Sequence, residues 1–461
     1  MRGCICQSSC IKRTRMEGTV IKIFSGCLIA IICFSTTTAQ YCEVKGCCFG
    51  RDDSCLTPLG DHYCYCDEFC DRTESGDCCP DFSRECLGIT PTGVPPGPVI
   101  DFDCVRADGA KFLAGASYMD NCNRCTCKEV QSGSGHAFEC EMNACLIREK
   151  VINEVNANQQ YGWTASNYTM FWGQTLGSGI RYRLGTMKPD ETVMAMNKIQ
   201  MEEHVVPDTF DAREKWPGYL EQIMDQGNCG SSWAFSTAAV ASDRLAIQSM
   251  GNMKVILSPQ HLLSCNTRRQ RGCDGGYTDR AWYFLRKKGI VTDECYPYKS
   301  GMDSGMTMKK GHCMLPPPDH SPCPNEYVHS DAYKSTPPYR IGQEENEIKH
   351  EIFKNGPVQA TFLVESDFFM YKSGVYRHTN VNANESPQYR QSGWHSVRII
   401  GWGIGENGVP YWLCANSWGT NWGENGYFRI VRGSNMCEIE SFVVGAWGKV
   451  DAAMMHKENL V

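Results

Sequence analysis

The sequence predicts small disulfide-rich modules ahead of a larger domain that contains a long helix. Three observations carry this. The 29 cysteines fall into blocks, a proline-rich break follows the first folded block, and a helix with Ala and Leu spacing starts at Trp233. Hydrophobic residues make up 42% and charged residues 21%, which fits a globular chain and excludes a collagenous or fully disordered one. The net charge of -7 gives no electrostatic footprint for nucleic-acid binding.

Residues 1–39 read as a signal peptide. Ile21 to Phe34 is an apolar run of about 14 residues, with Lys12, Arg13, Arg15 and Lys22 on its amino-terminal side and small residues up to Ala39. That length falls short of the ~20 residues needed to span a bilayer, so no membrane span is expected, and a retained anchor is the alternative. Cleavage near Ala39 would discard the five leading cysteines, and Met16 offers a second start.

Residues 40–88 hold ten cysteines from Cys42 to Cys86, and residues 102–147 hold six from Cys104 to Cys145. Even blocks are what paired cysteines in separate modules give, and such pairs need an oxidising compartment. Zinc is the rival reading, but the first block has no repeated C-x-x-C pair and only His62 nearby. It also has too few apolar side chains for a core, so covalent bridges must hold it. Cys64-Tyr65-Cys66-Asp67-Glu68-Phe69-Cys70 followed by Asp77-Cys78-Cys79-Pro80-Asp81-Phe82 resembles a somatomedin-B module, a family with eight cysteines rather than ten. Four prolines between Thr90 and Pro98 mark residues 89–101 as an extended linker. The next block, with Cys122-x-x-Cys125-x-Cys127, is similar to a von Willebrand factor C-type module.

Residues 148–203 carry no cysteine but several aromatics, and the spacing allows a helix from Arg148. Asn167-Tyr168-Thr169 and Asn384-Glu385-Ser386 are N-glycosylation sequons if the chain is exported, the second weakened by Pro387.

Chemistry concentrates in three stretches. Gln226-Gly227-Asn228-Cys229-Gly230-Ser231-Ser232-Trp233 leads into the helix, which is expected to run through Ala246 with Asp243 and Arg244 exposed. Downstream lie Gly393-Trp394-His395-Ser396 and Asn416-Ser417-Trp418-Gly419. Together with Cys273-Asp274-Gly275-Gly276 and Trp422-Gly423-Glu424-Asn425-Gly426-Tyr427, these resemble the papain family of cysteine peptidases, specifically its cathepsin B branch. The resemblance implies an α+β, papain-like fold of two subdomains, one helical and one a β-barrel, over residues 204–450, behind the disulfide-rich modules. It implies that Gln226 is the oxyanion-hole side chain, His395 the base, Asn416 its orienting partner, and Ser232 the position of the nucleophilic cysteine. It also implies the disulfides Cys229–Cys273, Cys265–Cys313 and Cys295–Cys323. Cys414 and Cys437 are then left over, their pairing open. Val151 to Asn156 and Trp163 to Tyr168 resemble the cathepsin B propeptide, which suggests a segment that stays attached.

A cysteine at a helix amino terminus ionises readily, its pKa drawn from ~8.5 towards 3.5–7.5 by the helix and a neighbouring imidazolium. A serine hydroxyl does not, so Ser232 must instead surrender its proton to His395 during attack. Three readings follow: a natural pseudopeptidase, an engineered substitution, or a residual serine-type hydrolase. Two departures favour the first. His312 and His320 are separated where the cathepsin B branch has an adjacent pair, and Phe442 stands where that branch has an acidic pocket residue. The stretch Arg268-Arg269-Gln270-Arg271 reads as an exposed loop or a processing site.

The whole assembly resembles the tubulointerstitial nephritis antigen family. This implies a secreted, non-catalytic glycoprotein of extracellular matrix and basement membrane. The implied partners are laminin-, collagen- or fibronectin-type matrix proteins, integrins and polysaccharide. No cofactor and no metal are expected. A weak extracellular peptidase using Ser232 and His395, or a peptide-binding cleft with Gln226 and Trp418, are the alternatives. Residues 451–461 form a tail.

Overall fold

The computed structural model describes residues 41–59, 62–68, 70, 77–88, 103–130, 135–196, 198–199, 205–301, 313 and 332–450. The apolar run of residues 1–39, the linker, His312, His320, Cys323 and the tail lie outside them. No helix among the described residues is long and apolar enough to cross a membrane. The chain forms two compact units, one ending at Asp101 and the other beginning at Phe102.

In the first unit a hairpin pairs Leu56–Leu59 with His62–Tyr65, flanked by the short helices Cys42–Lys45 and Phe82–Glu85. Its buried centre consists of half-cystines and one ring, Phe82. Five disulfides take the place of an apolar core: Cys42–Cys66, Cys47–Cys86, Cys48–Cys55, Cys64–Cys79 and Cys70–Cys78. Asp81 ties the two ends together, its carboxylate accepting from the backbone N–H of Cys42 at 2.9 Å.

The second unit starts with a three-stranded antiparallel sheet, Ser117–Asp120, Asn123–Glu129 and His136–Cys140, bridged by Cys104–Cys127, Cys122–Cys145 and Cys125–Cys140. The sequence places a module boundary at 147/148, but the chain packs across it. Leu146 and Ile147 are fully buried in the same core as the large sheet. The Leu146 N–H donates to the Gln174 carbonyl at 2.8 Å, and the Leu176 N–H to the Ala144 carbonyl at 2.7 Å. The two units divide after Asp101 instead, and a segment that buries two large aliphatic side chains stays with the core that covers them.

The segment after this seam is part of the domain. The helix Glu149–Ala157 buries Val151 and Val155, and the strand Trp163–Ala165 pairs antiparallel with Tyr371–Tyr376. The sheet then runs, in spatial order, Tyr339–Ile341, Phe442–Gly445, Val358–Val364, Gly393–Ile404, Pro410–Ala415, Tyr427–Val431, Tyr371–Tyr376 and Trp163–Ala165, with Phe210–Asp211 added beside Gly393–Ile404. Opposite it stands a helical layer built on Ser232–Gln248, with Pro259–Cys265 and Thr278–Lys287 against it.

Every residue of Ser232–Gln248 except the last two is buried. Its small side chains let neighbours approach closely. Its buried hydroxyls satisfy themselves locally: Ser236, Thr237 and Ser242 each donate to the carbonyl four residues back. Asp243 and Arg244, expected on the surface, are both fully buried. Asp243 pairs with Arg398 at 2.7 Å and Arg244 with Glu351 at 2.7 Å, partners that lie far away in sequence. Phe442 is buried in the helical core rather than lining an open pocket.

Candidate functional site

Ser232 is the first residue of the central helix, so its own N–H is one of the free donors at a helix start. The preceding loop is pinned twice. The Cys229–Cys273 disulfide closes it, and the Gly230 N–H donates to the Cys273 carbonyl at 2.9 Å. Gln226 is fixed by Ser417, whose hydroxyl donates to Gln226 Oε1 at 2.7 Å and whose carbonyl accepts the Gln226 N–H at 2.9 Å. From the sheet, His395 on Gly393–Ile404 reaches Asn416, just past Pro410–Ala415, with Nε2 2.8 Å from Asn416 Oδ1. Trp418 covers the pair, its rings 5.1 Å from the imidazole. All four expected site residues are therefore brought together, and all are buried.

What fills the space between them belongs to the propeptide-like segment 148–203, although the sequence did not single out these residues within it. Residues 184–187, just after the helix Leu176–Arg183, run through the groove. The Ser232 N–H at 3.3 Å and Gln226 Nε2 at 3.1 Å converge on the Leu184 carbonyl oxygen. Two donors meeting on one oxygen is the arrangement that stabilises an oxyanion, and here it is spent on a ground-state peptide carbonyl. Gly185 and Met187 bracket Gly276: the Gly276 N–H donates to the Gly185 carbonyl at 2.9 Å, and the Met187 N–H to the Gly276 carbonyl at 2.8 Å. Gly185 sits at φ 103°, and a Cβ there would lie 2.0 Å from the Gly230 carbonyl oxygen. Only glycine passes that point. The Trp418 indole N–H donates to the Arg183 carbonyl at 2.7 Å, clamping the entry.

Thr186 decides the state of Ser232. Its hydroxyl lies 2.9 Å from Ser232 Oγ and donates to Ser396 Oγ at 3.0 Å, which in turn lies 2.9 Å from Thr361 Oγ1. The serine hydroxyl thus belongs to a buried line of hydroxyls. His395 Nδ1, the nitrogen not used by Asn416, has no hydrogen-bond partner among the described residues. Burial holds the His395 pKa down at about 4, with the Asn416 hydrogen bond opposing the shift, so the ring is neutral at ordinary pH. Neither an imidazolium nor a contact from Nδ1 to Oγ is present to activate Ser232.

The remaining candidates are also placed. Cys265 is bonded to Cys313. Cys295 is disulfide-bonded, and Cys323, the partner implied for it, lies outside the described residues. Cys414 and Cys437 are free thiols, and burial raises both pKa values, leaving them protonated. Asn167 and Asn384 are both exposed. Of the basic stretch, Arg268, Arg269 and Arg271 are exposed while Gln270 is buried, its side chain pairing with the backbone of Tyr277. The one cluster of potential metal-ligating side chains among the described residues is Cys42, Cys66 and Cys79, all half-cystines and so without thiolates to offer.

Residues 206–447 match the family model described as papain family cysteine protease. The chain belongs to the papain family. This papain-family chain is also 49% identical over 434 residues to the mouse protein named tubulointerstitial nephritis antigen-like, covering 89% of each. It is 44% identical over 437 residues to bovine tubulointerstitial nephritis antigen, covering 90% of this chain and 88% of that one. Among solved structures it is similar to proCathepsin B S9 from Trypanosoma congolense, with TM-score 0.56 and 30% identity over 67% of this chain and all of that one. The fold is the papain-like α+β fold, carried here behind disulfide-rich modules.

Proposed function

We propose that this chain is a secreted, non-catalytic cathepsin B-like glycoprotein that acts by binding extracellular matrix and supporting cell adhesion. The observation that carries the non-catalytic reading is Ser232. It stands where the papain resemblance puts a cysteine, and its hydroxyl is engaged by Thr186 at 2.9 Å rather than by His395. A hydroxyl in that position has no low-pKa form to attack with, and the two oxyanion donors already hold Leu184. The cystine-rich first unit supports export, and the matrix role rests on the family resemblance read from the sequence.

A weak peptidase using Ser232 and His395 is the second reading, favoured by the intact 2.8 Å contact between His395 and Asn416. Incubation of the purified full chain with a peptide mixture, followed by mass spectrometry, separates the two. No cleavage is expected; turnover lost on His395→Ala would establish the peptidase. For the binding role, solid-phase binding to laminin, collagen and fibronectin is compared between the full chain and a chain starting at Phe102. Retention of at least one of these matrix proteins by the full chain is expected, and retention of none would overturn the matrix reading.

A further inference from the structure

Next to Asn416, a cavity of about 20 Å³ lies between the central helix, the strand Gly393–Ile404 and residues 221–224. That volume exceeds the roughly 10–15 Å³ that one water molecule needs and falls short of two. Two of the side chains lining it each carry a buried polar atom with no partner among the described residues: Glu221 Oε2 and Asn416 Nδ2. Glu221 is 9% exposed and Asn416 4%, so bulk solvent meets neither need. A molecule that satisfies both atoms at once is therefore favoured, because an unmet buried donor or acceptor keeps the full penalty of its desolvation.

The orientation of the Asn416 amide is fixed by its neighbours. Its Oδ1 accepts the Ser417 N–H at 2.8 Å and lies 2.8 Å from His395 Nε2. A carbonyl oxygen only accepts, so the neutral imidazole carries its proton on Nε2, and the two N–H donors of the amide are left over. The hydroxyls that line the same cavity are engaged elsewhere. Ser236 donates to the Ser232 carbonyl, Ser396 belongs to the row with Thr361, and Ser417 donates to Gln226. Arg398 also lines the cavity, but it directs Nη1 to Asp243 at 2.7 Å and Nη2 to the Glu221 backbone carbonyl at 2.9 Å. Neither contact reaches the free oxygen of the Glu221 carboxyl.

We propose that this cavity binds a single water molecule that accepts from Asn416 Nδ2 and joins it to the Glu221 carboxyl, extending the pair His395–Asn416 into a line of three side chains. Glu221 is then a positioning residue for the imidazole, acting through Asn416. Burial pushes the Glu221 carboxyl up to about 8; Arg398 and a Ser242 hydrogen bond oppose the shift, while Asp243 and Asp293 add to it. Asp243 faces it from the central helix, Arg398 from the sheet and Asp293 from the segment after the helix Thr278–Lys287. At neutral pH the carboxyl is un-ionised and shares an ordinary hydrogen bond with the water. Once ionised, it draws a water hydrogen towards itself. That charge-assisted bond polarises the Asn416 amide and, through Oδ1, the Nε2–H of His395. The site does not depend on whether Ser232 can react.

The test uses the full chain and has two arms. A crystal structure that resolves ordered solvent is expected to show one water within about 2.7–3.2 Å of both Asn416 Nδ2 and Glu221 Oε2. No peak there would overturn the proposal, and so would an anomalous peak after bromide soaking, since the site would then be one for halide. This arm needs no variant. In the second arm the chain carries 15N-labelled histidine, and the ring nitrogens of His395, assigned by their loss in His395→Gln, are followed across the Glu221 pKa of about 8. Their shifts are expected to inflect there, although the pKa of the imidazole itself lies at about 4. Glu221→Gln, which matches the neutral carboxyl in shape and cannot ionise, should abolish the inflection. Asp293→Asn, which removes another carboxyl facing Glu221, should keep it. A wild-type ring without the inflection, or an inflection that survives Glu221→Gln, would overturn the positioning role.

Discussion

The two walls of the groove were kept to different standards. On the sheet side, His395, Asn416 and Trp418 hold the geometry of a working base, with a 2.8 Å contact and a covering indole. On the helix side, the attacking atom is an oxygen tied into a row of hydroxyls, and the donors beside it are occupied by Leu184. The sheet-side residues are also packing residues: His395 faces Phe362, and Trp418 stacks on Phe369 with an interplanar angle of 3°. Losing them would cost the fold its core. On the proposed non-catalytic reading, chemistry is lost at one atom, Ser232 Oγ, while the frame around it persists for structural reasons.

The largest test of that contrast is Gly185→Val. The new side chain meets the Gly230 backbone and a left-handed φ, so a destabilisation of about 3–5 kcal/mol, or expulsion of the segment, is expected. Chemical denaturation, together with tryptic cleavage at Arg183 and Lys188, would register either outcome. Wild-type behaviour would mean the groove is not filled as described. Next comes Ser232→Cys, which alone is expected to remain inert because Leu184 and Thr186 still occupy the site. Combined with Gly185→Val it should gain about 10²-fold or more in peptide hydrolysis, and that gain should vanish with His395→Ala. If the combined variant stays inert, the sheet wall has drifted as well.

A smaller effect comes with pH. The folded pKa of His395 is about 4, below its ordinary 6.5, so the unfolded chain takes up the proton more readily. Its contribution to stability is complete above pH 6.5 and declines as pH falls towards 4, by up to about 1.4 kcal/mol per unit. His395→Gln lacks that contribution. The difference between the two unfolding curves should therefore change across this window and be flat above it; a constant difference would mean the imidazole is not buried neutral. Smallest is Thr186→Val, which strands the Ser232 hydroxyl and weakens the row to Ser396, at an expected cost of about 1–2 kcal/mol in urea unfolding.

The sheet wall and the helix start were legible in the sequence because each motif is a short contiguous run in which neighbouring residues perform neighbouring tasks. Gln226, Ser232, His395 and Asn416 could all be named from such runs. Leu184, Gly185 and Thr186 could not, since their roles depend on partners 42 to 210 positions away, and Leu-Gly-Thr alone carries no spacing to recognise. The retained glycine was the one available signal, and its meaning appears only once the Gly230 backbone lies against it. Asp243 and Arg244 misled for the same reason. Charge on a helix reads as solvent-facing until a distant Arg398 and Glu351 are known to pair with it. The seam at 147/148 was drawn where cysteines stop, whereas packing is decided by the aliphatic pair Leu146 and Ile147, which follows the last bridge directly.

That last bridge has a consequence for any maturation by scission. A cut between Lys188 and Val205 frees two ends, yet neither fragment can leave. The upstream piece is rooted by Leu146, Ile147 and the pairing of Trp163–Ala165 with Tyr371–Tyr376, and the downstream piece is the body of the domain. Each described bridge joins cysteines of a single block, so the nicked protein should elute from a sizing column as one species and separate on a denaturing gel without reductant. The ordinary route by which a zymogen sheds its guard would leave this one standing at its post.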